Sequence, residues 1–443
     1  MIKCASLPRS AAPVVFCLAL LINTAGCSLQ ATGPLAFLPL LLPPGVFESI
    51  DFVYADADRV VATRMNARDI IANYSFYTAV GASAPVDFEM YDVEVLELDP
   101  ISLETRTLAG NIHAPSPLLK SDGRWIVWAD WMAGGIVARE ISADGGERRH
   151  LESAGNELSV FAVRNGIAAV QQGYVSYNGG PDGLNVSGPT FLHLVYLATG
   201  DVMRVDLPNE GIAAQAALTA DRLAVLMHVP GPEDDLIPIY LNAPPGPFPP
   251  QVPPTYVRAY YGGVAVYDVK SRTWSTIDER ISVDFARILM TTDYVVWSES
   301  SFTDTSVRPQ VRAHRLSDGR TMTLLESNRD DGSYETMYLR SANDAGVLIQ
   351  RDVTPPYSGS SPASLFPPPD ALVKTYQYVF VGFDGAATLL AEFPETPAHP
   401  ALFSTAAALT DDFAFVPDPT RGDFHAITLT TLEDRLFSMS ALP

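Results

Sequence analysis

Of the side chains in this 443-residue chain that suit proton transfer near neutral pH or transition-metal binding, the 7 histidines and 3 cysteines are scattered. Catalytic zinc and manganese sites need several nitrogen or oxygen donors in one place. His113, His228, His399 and His425 are the candidates, because the strand pattern described below brings them to one face. No short ligand spacing joins any two of them, so the expectation is no metal and no cofactor. Nucleophile chemistry leaves no better trace. The chain has no Gly-x-Ser-x-Gly turn, no His-Glu-x-x-His pair, no phosphate-cradling glycine loop and no Gly-x-Gly-x-x-Gly, and no catalytic residue is assigned. Asp58, Asp122, Asp221, Asp293, Asp318 and Asp384 each stand where a turn is expected, and Asp side chains cap turns by accepting nearby backbone N–H groups. Glu233-Asp-Asp and Asn328-Arg-Asp-Asp-Gly lack the alternation of a calcium loop and read as solvated charge.

Aromatic side chains offer a different chemistry, recognition rather than reaction. Tyr74, Tyr77, Tyr174, Tyr177, Phe248, Tyr256, Tyr357 and Phe366 are interspersed in long segments rich in Pro, Gly and Ser, including Pro-Pro-Gly-Pro-Phe-Pro-Pro-Gln-Val-Pro-Pro at 244–254. Such proline density favours stiff polyproline II. An aromatic face with one polar tip suits a peptide or a sugar.

The elements that must position these segments follow a repeat. An Asp or Asn turn is followed by an apolar run of about six residues, as in Ser-Asp-Gly-Arg-Trp-Ile-Val-Trp-Ala-Asp at 121–130 and Thr-Asp-Tyr-Val-Val-Trp-Ser-Glu at 292–299. Seven such anchors begin at positions 58, 122, 165, 221, 293, 344 and 412. Each is followed by a second strand, a turn such as Asp144-Gly, Asp318-Gly or Asp384-Gly, and a third strand. Asp-Gly supplies the positive φ of a tight hairpin. One such unit cannot bury both faces alone, and a four-stranded blade needs about 40–50 residues. The expectation is an all-β propeller of seven four-stranded blades over 47–443, with six or eight the alternatives. How the ring closes is left open, with a strand near 47–53 as one candidate to complete the last blade. Long insertions at 65–89, 172–189, 230–262 and 353–374 fall between the anchor strand and the strand that follows it, strands B and C of units one, three, four and six, and so crowd one face.

The anchors at 121–130 and 292–299 resemble the repeat of TolB-like propeller proteins. The resemblance implies an envelope protein acting mainly through protein contacts. The start of the chain is consistent with export. Lys3 and Arg9 precede an apolar run at 11–22 that is too short to span a bilayer, and Thr24-Ala-Gly precedes Cys27. This segment resembles the lipobox of bacterial lipoproteins, which implies removal of 1–26, a lipid on Cys27, a tether over 27–46 and, from Ser28, sorting to the outer membrane with the domain periplasmic or surface-facing. Cys4 and Cys17 would leave with the signal, so no internal disulfide is expected. Net charge is −22, and loss of Lys3 and Arg9 makes it −24, a surface that repels nucleic acid. The expected role is an interaction or scaffold module, monomeric, touching the membrane only through its lipid, with an envelope protein as partner. The alternatives are a carbohydrate-binding module and a metal-dependent lyase or hydrolase acting on an envelope or extracellular polymer.

Overall fold

The computed structural model describes residues 48–437 apart from 57–58, 67–90, 115–118, 131–133, 142–145, 153–157, 178–183, 233–235, 240–254, 259, 282–286, 304–305, 328–332, 356–373, 395–406 and 419–422. The export signal, Cys27 and the tether lie outside the described residues.

Strands follow the repeat. Seven antiparallel sheets of four strands, here A to D in chain order, form seven blades over residues 48–114, 120–150, 158–205, 212–281, 288–326, 334–394 and 408–437. Every anchor is strand B of its blade, and burial explains why these runs stand out. Strand B of blade 2 (Trp125–Asp130) is buried along its whole length, because a middle strand is covered by the neighbouring blade on each face. Outer strands do not show that run: strand D of blade 6 (Ala387–Pro394) alternates exposed and half-buried positions.

The A strands line the axis. They touch in cyclic order around the ring, including blade 1 (Glu48–Ala55) against blade 7 (Ala408–Leu409), and so close it. Each neighbouring pair of blades encloses its own apolar cluster. Leu192, Leu194 and Val205 of blade 3 meet Leu218, Leu223 and Val225 of blade 4, for example. The protein is a seven-bladed β-propeller.

One open question is answered and one expectation is corrected. The strand at 48–55 does not complete the last blade: it is strand A of blade 1, and blade 7 is built entirely from 408–437. Among the described residues, side chains hold this seam. Phe52 meets Phe424 edge-on at 5.2 Å, and Arg435 donates 2.7 Å to the Ile101 carbonyl. The segment at 172–189 is also less of a loop than its composition suggests. Strands B (Ile167–Tyr177) and C (Leu184–Tyr196) of blade 3 continue pairing beyond the blade as a long hairpin, with Tyr174 opposite Ser187 and Tyr177 opposite Leu184. In blade 4 a second small hairpin (Leu236–Ile239 with Thr255–Arg258) stands between strands B and C.

Candidate functional site

Antiparallel order puts all A–B and C–D turns at one end of the ring and all B–C connections at the other. The A–B end is built to be rigid. Asp122 accepts from the backbone N–H groups of Arg124 and Trp125 within its own turn, and its other oxygen accepts from Gly166 N of the next blade at 2.6 Å. Asp344 likewise accepts from Thr292 N at 2.9 Å and Thr292 Oγ1 at 3.0 Å, and Asn343 Nδ2 donates 2.7 Å to the Thr410 carbonyl. Arg59 donates to the Gly123 carbonyl. The turns themselves demand their residues. Asn165 and Gly166 have φ of 50° and 72°, the two positive values of a type I′ hairpin turn. Gly123 has φ of 81°, and a Cβ there would meet Arg59 and Tyr54 at 2.6 and 2.7 Å. Tyr54 donates 2.6 Å to Asp56, and burial together with that hydrogen bond pushes its phenol up to about 12. The turn role expected of Asp122, Asp318 and Asp384 is what their hydrogen bonds show, and Asp293 accepts from Ser317 N across two turns. Asp58 lies outside the described residues.

The B–C end is built differently. Long connections leave blades 1, 3, 4 and 6, and the same four blades have the longer A strands: 8, 7, 7 and 9 residues, against 2 or 3 in blades 2, 5 and 7. Each of these four A strands also carries a bulge. A longer A strand supports the base of strand B where the insertion departs. Of the candidate aromatics, Tyr174 and Tyr177 lie on the strand B extension of blade 3, and Tyr256 on the small hairpin of blade 4. Tyr74, Tyr77, Phe248, Tyr357 and Phe366 lie outside the described residues.

One recurring feature of this end escaped the sequence reading. Strand B carries a buried acid in its second half in blades 2, 5, 6 and 7, as its last residue at Asp130 and Asp418 and within the strand at Glu299 and Asp352, each at most 7% exposed. A cation from strand C or D, or from just before C, meets the acids of blades 2, 5 and 6, and a histidine of strand C lies by the acid of blade 7. Arg149 reaches Asp130 at 2.8 Å, Arg312 reaches Glu299 at 3.4 Å, Lys374 reaches Asp352 at 2.7 Å, and His425 Nε2 lies 3.6 Å from Asp418. Glu299 also accepts from Trp297 Nε1 at 3.0 Å. Breaking such a pair strands a buried charge, so these acids lock the rim in place. The signal was available: an acid two residues after the anchor's aromatic, in Trp-Ala-Asp130 and Trp-Ser-Glu299.

The candidate histidines are separated by blade. His113 is on strand D of blade 1, His228 is buried on strand B of blade 4, and His425 is on strand C of blade 7 with its Nδ1 2.8 Å from Asp434. His399 lies outside the described residues. Among the described residues no group of three or more His, Cys, Asp or Glu side chains is placed to hold a metal.

A second polar region lines the axis. Asp51 sits on strand A of blade 1 opposite Thr63, and Lys120 on strand A of blade 2 opposite Val127. Arg340 is the extra residue of the bulge between Leu339 and Ser341 in blade 6, and Arg287 enters strand A of blade 5, its carbonyl accepting from Ser298 N. Lys120 and Arg287 belong to blades that are not neighbours, as do Asp51 and Arg287, yet each pair interacts electrostatically. They can meet only across the lumen. Burial lowers the Lys120 ammonium and the Arg287 guanidinium, and it lowers Arg340 to about 10, with Arg287 nearby adding to the effect. Burial raises the Asp51 carboxyl despite the three cations around it. Water still reaches Arg287, which is exposed, so the lumen is wet but closely walled.

No protein-family model and no curated protein matches the sequence. Solved structures do share its architecture. The β-propeller domain of the Trilobed protease from Pyrococcus furiosus is 11% identical, with 90% of this chain and 100% of that one covered and a TM-score of 0.48. TolB from Acinetobacter baumannii is 11% identical over 79% and 76%, with a TM-score of 0.33. An oligogalacturonate lyase from Vibrio parahaemolyticus is 7% identical over 90% and 80%, with a TM-score of 0.34. At these identities the likeness concerns fold alone and says nothing of ligand or reaction. Among the described residues no helix is long and apolar enough to cross a membrane.

Proposed function

We propose that this chain is a lipid-anchored cell-envelope propeller that serves as a protein–protein interaction module, and that the B–C end is its binding face. The observation that carries the reading is the difference between the two ends. Four blades place their long connections at one end, while the other is closed by short turns tied from blade to blade. Rigid scaffolds that hold variable loops at one edge are suited to recognition. The anchor rests on Cys27 and the export-type segment before it. By composition the connections are rich in aromatic residues and proline, residue types suited to binding without a large ordering cost.

The test is removal of 243–254 and 357–369, singly and together, in a soluble form that starts at Gln30. Cross-linking capture from an envelope extract should recover one stoichiometric protein with the intact form and none with the double deletion, at an unchanged unfolding midpoint. Equal capture by both forms would move the binding face elsewhere.

A further inference from the structure

The lumen reverses the sign of the rest of the molecule. In a chain of net charge −22, blades 2, 5 and 6 place Lys120, Arg287 and Arg340 on or beside their axis-lining A strands, and among the described residues Asp51 of blade 1 is the acid that interacts with all three. Three cations at such close quarters repel one another, and burial removes part of the water that would screen them. Removing charges from water is costly unless they are paired. Yet among the described residues neither the Lys120 ammonium nor the Arg287 guanidinium makes a hydrogen bond or an ion pair. Arg340 is held in place, donating through Nε and Nη2 to Gln350 Oε1 at 2.9 and 2.7 Å, while Gln350 Nε2 donates to Asp352. That chain of contacts orients one guanidinium and leaves the other two cations free to turn toward a guest. The four charged groups stand at similar heights, since Thr63, Val127, Ser298 and the Leu348–Ile349 step opposite them all lie between the third and fifth residue of strand B.

We propose that the lumen is an anion-binding site for a small solute bearing a phosphate or carboxylate group, held by Lys120, Arg287 and Arg340. Two guanidinium groups offer planar pairs of donors that match such oxyanions, and the ammonium adds a compact charge. Asp51 keeps the empty site from carrying three unopposed charges and is displaced electrostatically when the guest arrives. The acidic outer surface repels anions, so saturable uptake of one by this protein reports on the lumen. The site is separate from the proposed protein-binding face and does not depend on it.

The experiment is calorimetric titration of the purified full-length chain with inorganic phosphate and, separately, citrate, with glucose as the neutral control. Saturable binding of one or both anions, weakening as salt rises, is expected; the anion that binds identifies phosphate or polycarboxylate as the source. Lys120→Gln and Arg287→Gln should each weaken binding by about tenfold or more, the usual cost of losing a charge-assisted contact. Asp51→Asn should tighten it. Arg204→Gln, which removes an exposed arginine on an outer strand, should change nothing. Lys120 and Arg287 carry the decisive variants because Arg340 also supports its sheet. No saturable binding of either anion, or binding that Lys120→Gln and Arg287→Gln leave unchanged, would overturn the proposal.

Discussion

The two ends of this propeller are made from the same strands and put to different use. At the A–B end, turns of a few residues carry their own Asp, Asn and Gly and pass hydrogen bonds to the next blade, from Asp122 to Gly166 and from Asp344 to Thr292. Toward the B–C end, strand B of blades 2, 5, 6 and 7 carries a buried acid, and blades 1, 3, 4 and 6 run into long connections. The difference teaches that the ring is secured below and along its walls, which leaves the upper connections free to vary in length and composition without loss of the fold.

Breaking what both ends share should cost most. Trp297 is fully buried between blades 4 and 5, in the middle of strand B. Trp297→Ala should lower stability by about 3–5 kcal/mol in urea unfolding, from lost apolar burial and the cavity left behind. Next comes the A–B end. Asp344→Ala removes two hydrogen bonds between blades 5 and 6, and a loss of about 1–2 kcal/mol is expected, with the Thr292 amide left unpaired.

A smaller effect separates pH dependence from both ends. Burial, aided by the nearby Arg148 and Arg204, holds the His150 and His193 imidazoles below their ordinary value of 6.5. Folding therefore opposes their protonation. The stability tied to them is fully present above the unfolded value and falls as pH drops below 6.5, where the unfolded chain takes up protons that the folded one refuses. The urea midpoint should decline from pH 7 to pH 5, and the decline should be shallower in His150→Gln and His193→Gln. A midpoint that rises on acidification would contradict the sign. Smallest of all should be the loss of 243–254 from the B–C end. Loop shortening changes closure entropy by only about 0.6 kcal/mol per halving, so the midpoint should hardly move.

The sequence showed the fold where burial is symmetric. Strand B is covered on both faces, so Trp125–Asp130 and Gly346–Thr354 read as apolar runs behind a turn, and all seven anchors are strands of that kind. The A strands gave no such pattern. Those of blades 2, 5 and 7 are too short for a period, and bulges in the other four shift the alternation, as at Leu339–Ser341. Lys120 stands beside a recognised anchor, yet only ring closure brings it across the axis from Arg287. The buried acids of strand B were visible as letters, but which side chain each one meets is decided by the register of strands C and D in the folded blade. Candidate aromatics such as Tyr74 and Tyr357 were chosen by composition, and they fall in connections outside the described residues.

The measurement that tests the division of labour most directly is a paired one on two variants, the double deletion of 243–254 with 357–369 and Asp344→Ala, each read for urea midpoint and for cross-linked partner. The account predicts that the deletion keeps its midpoint and loses its partner, whereas Asp344→Ala loses stability and, under folding conditions, keeps the partner. A deletion that unfolds the ring, or one that still captures the same protein, would contradict it.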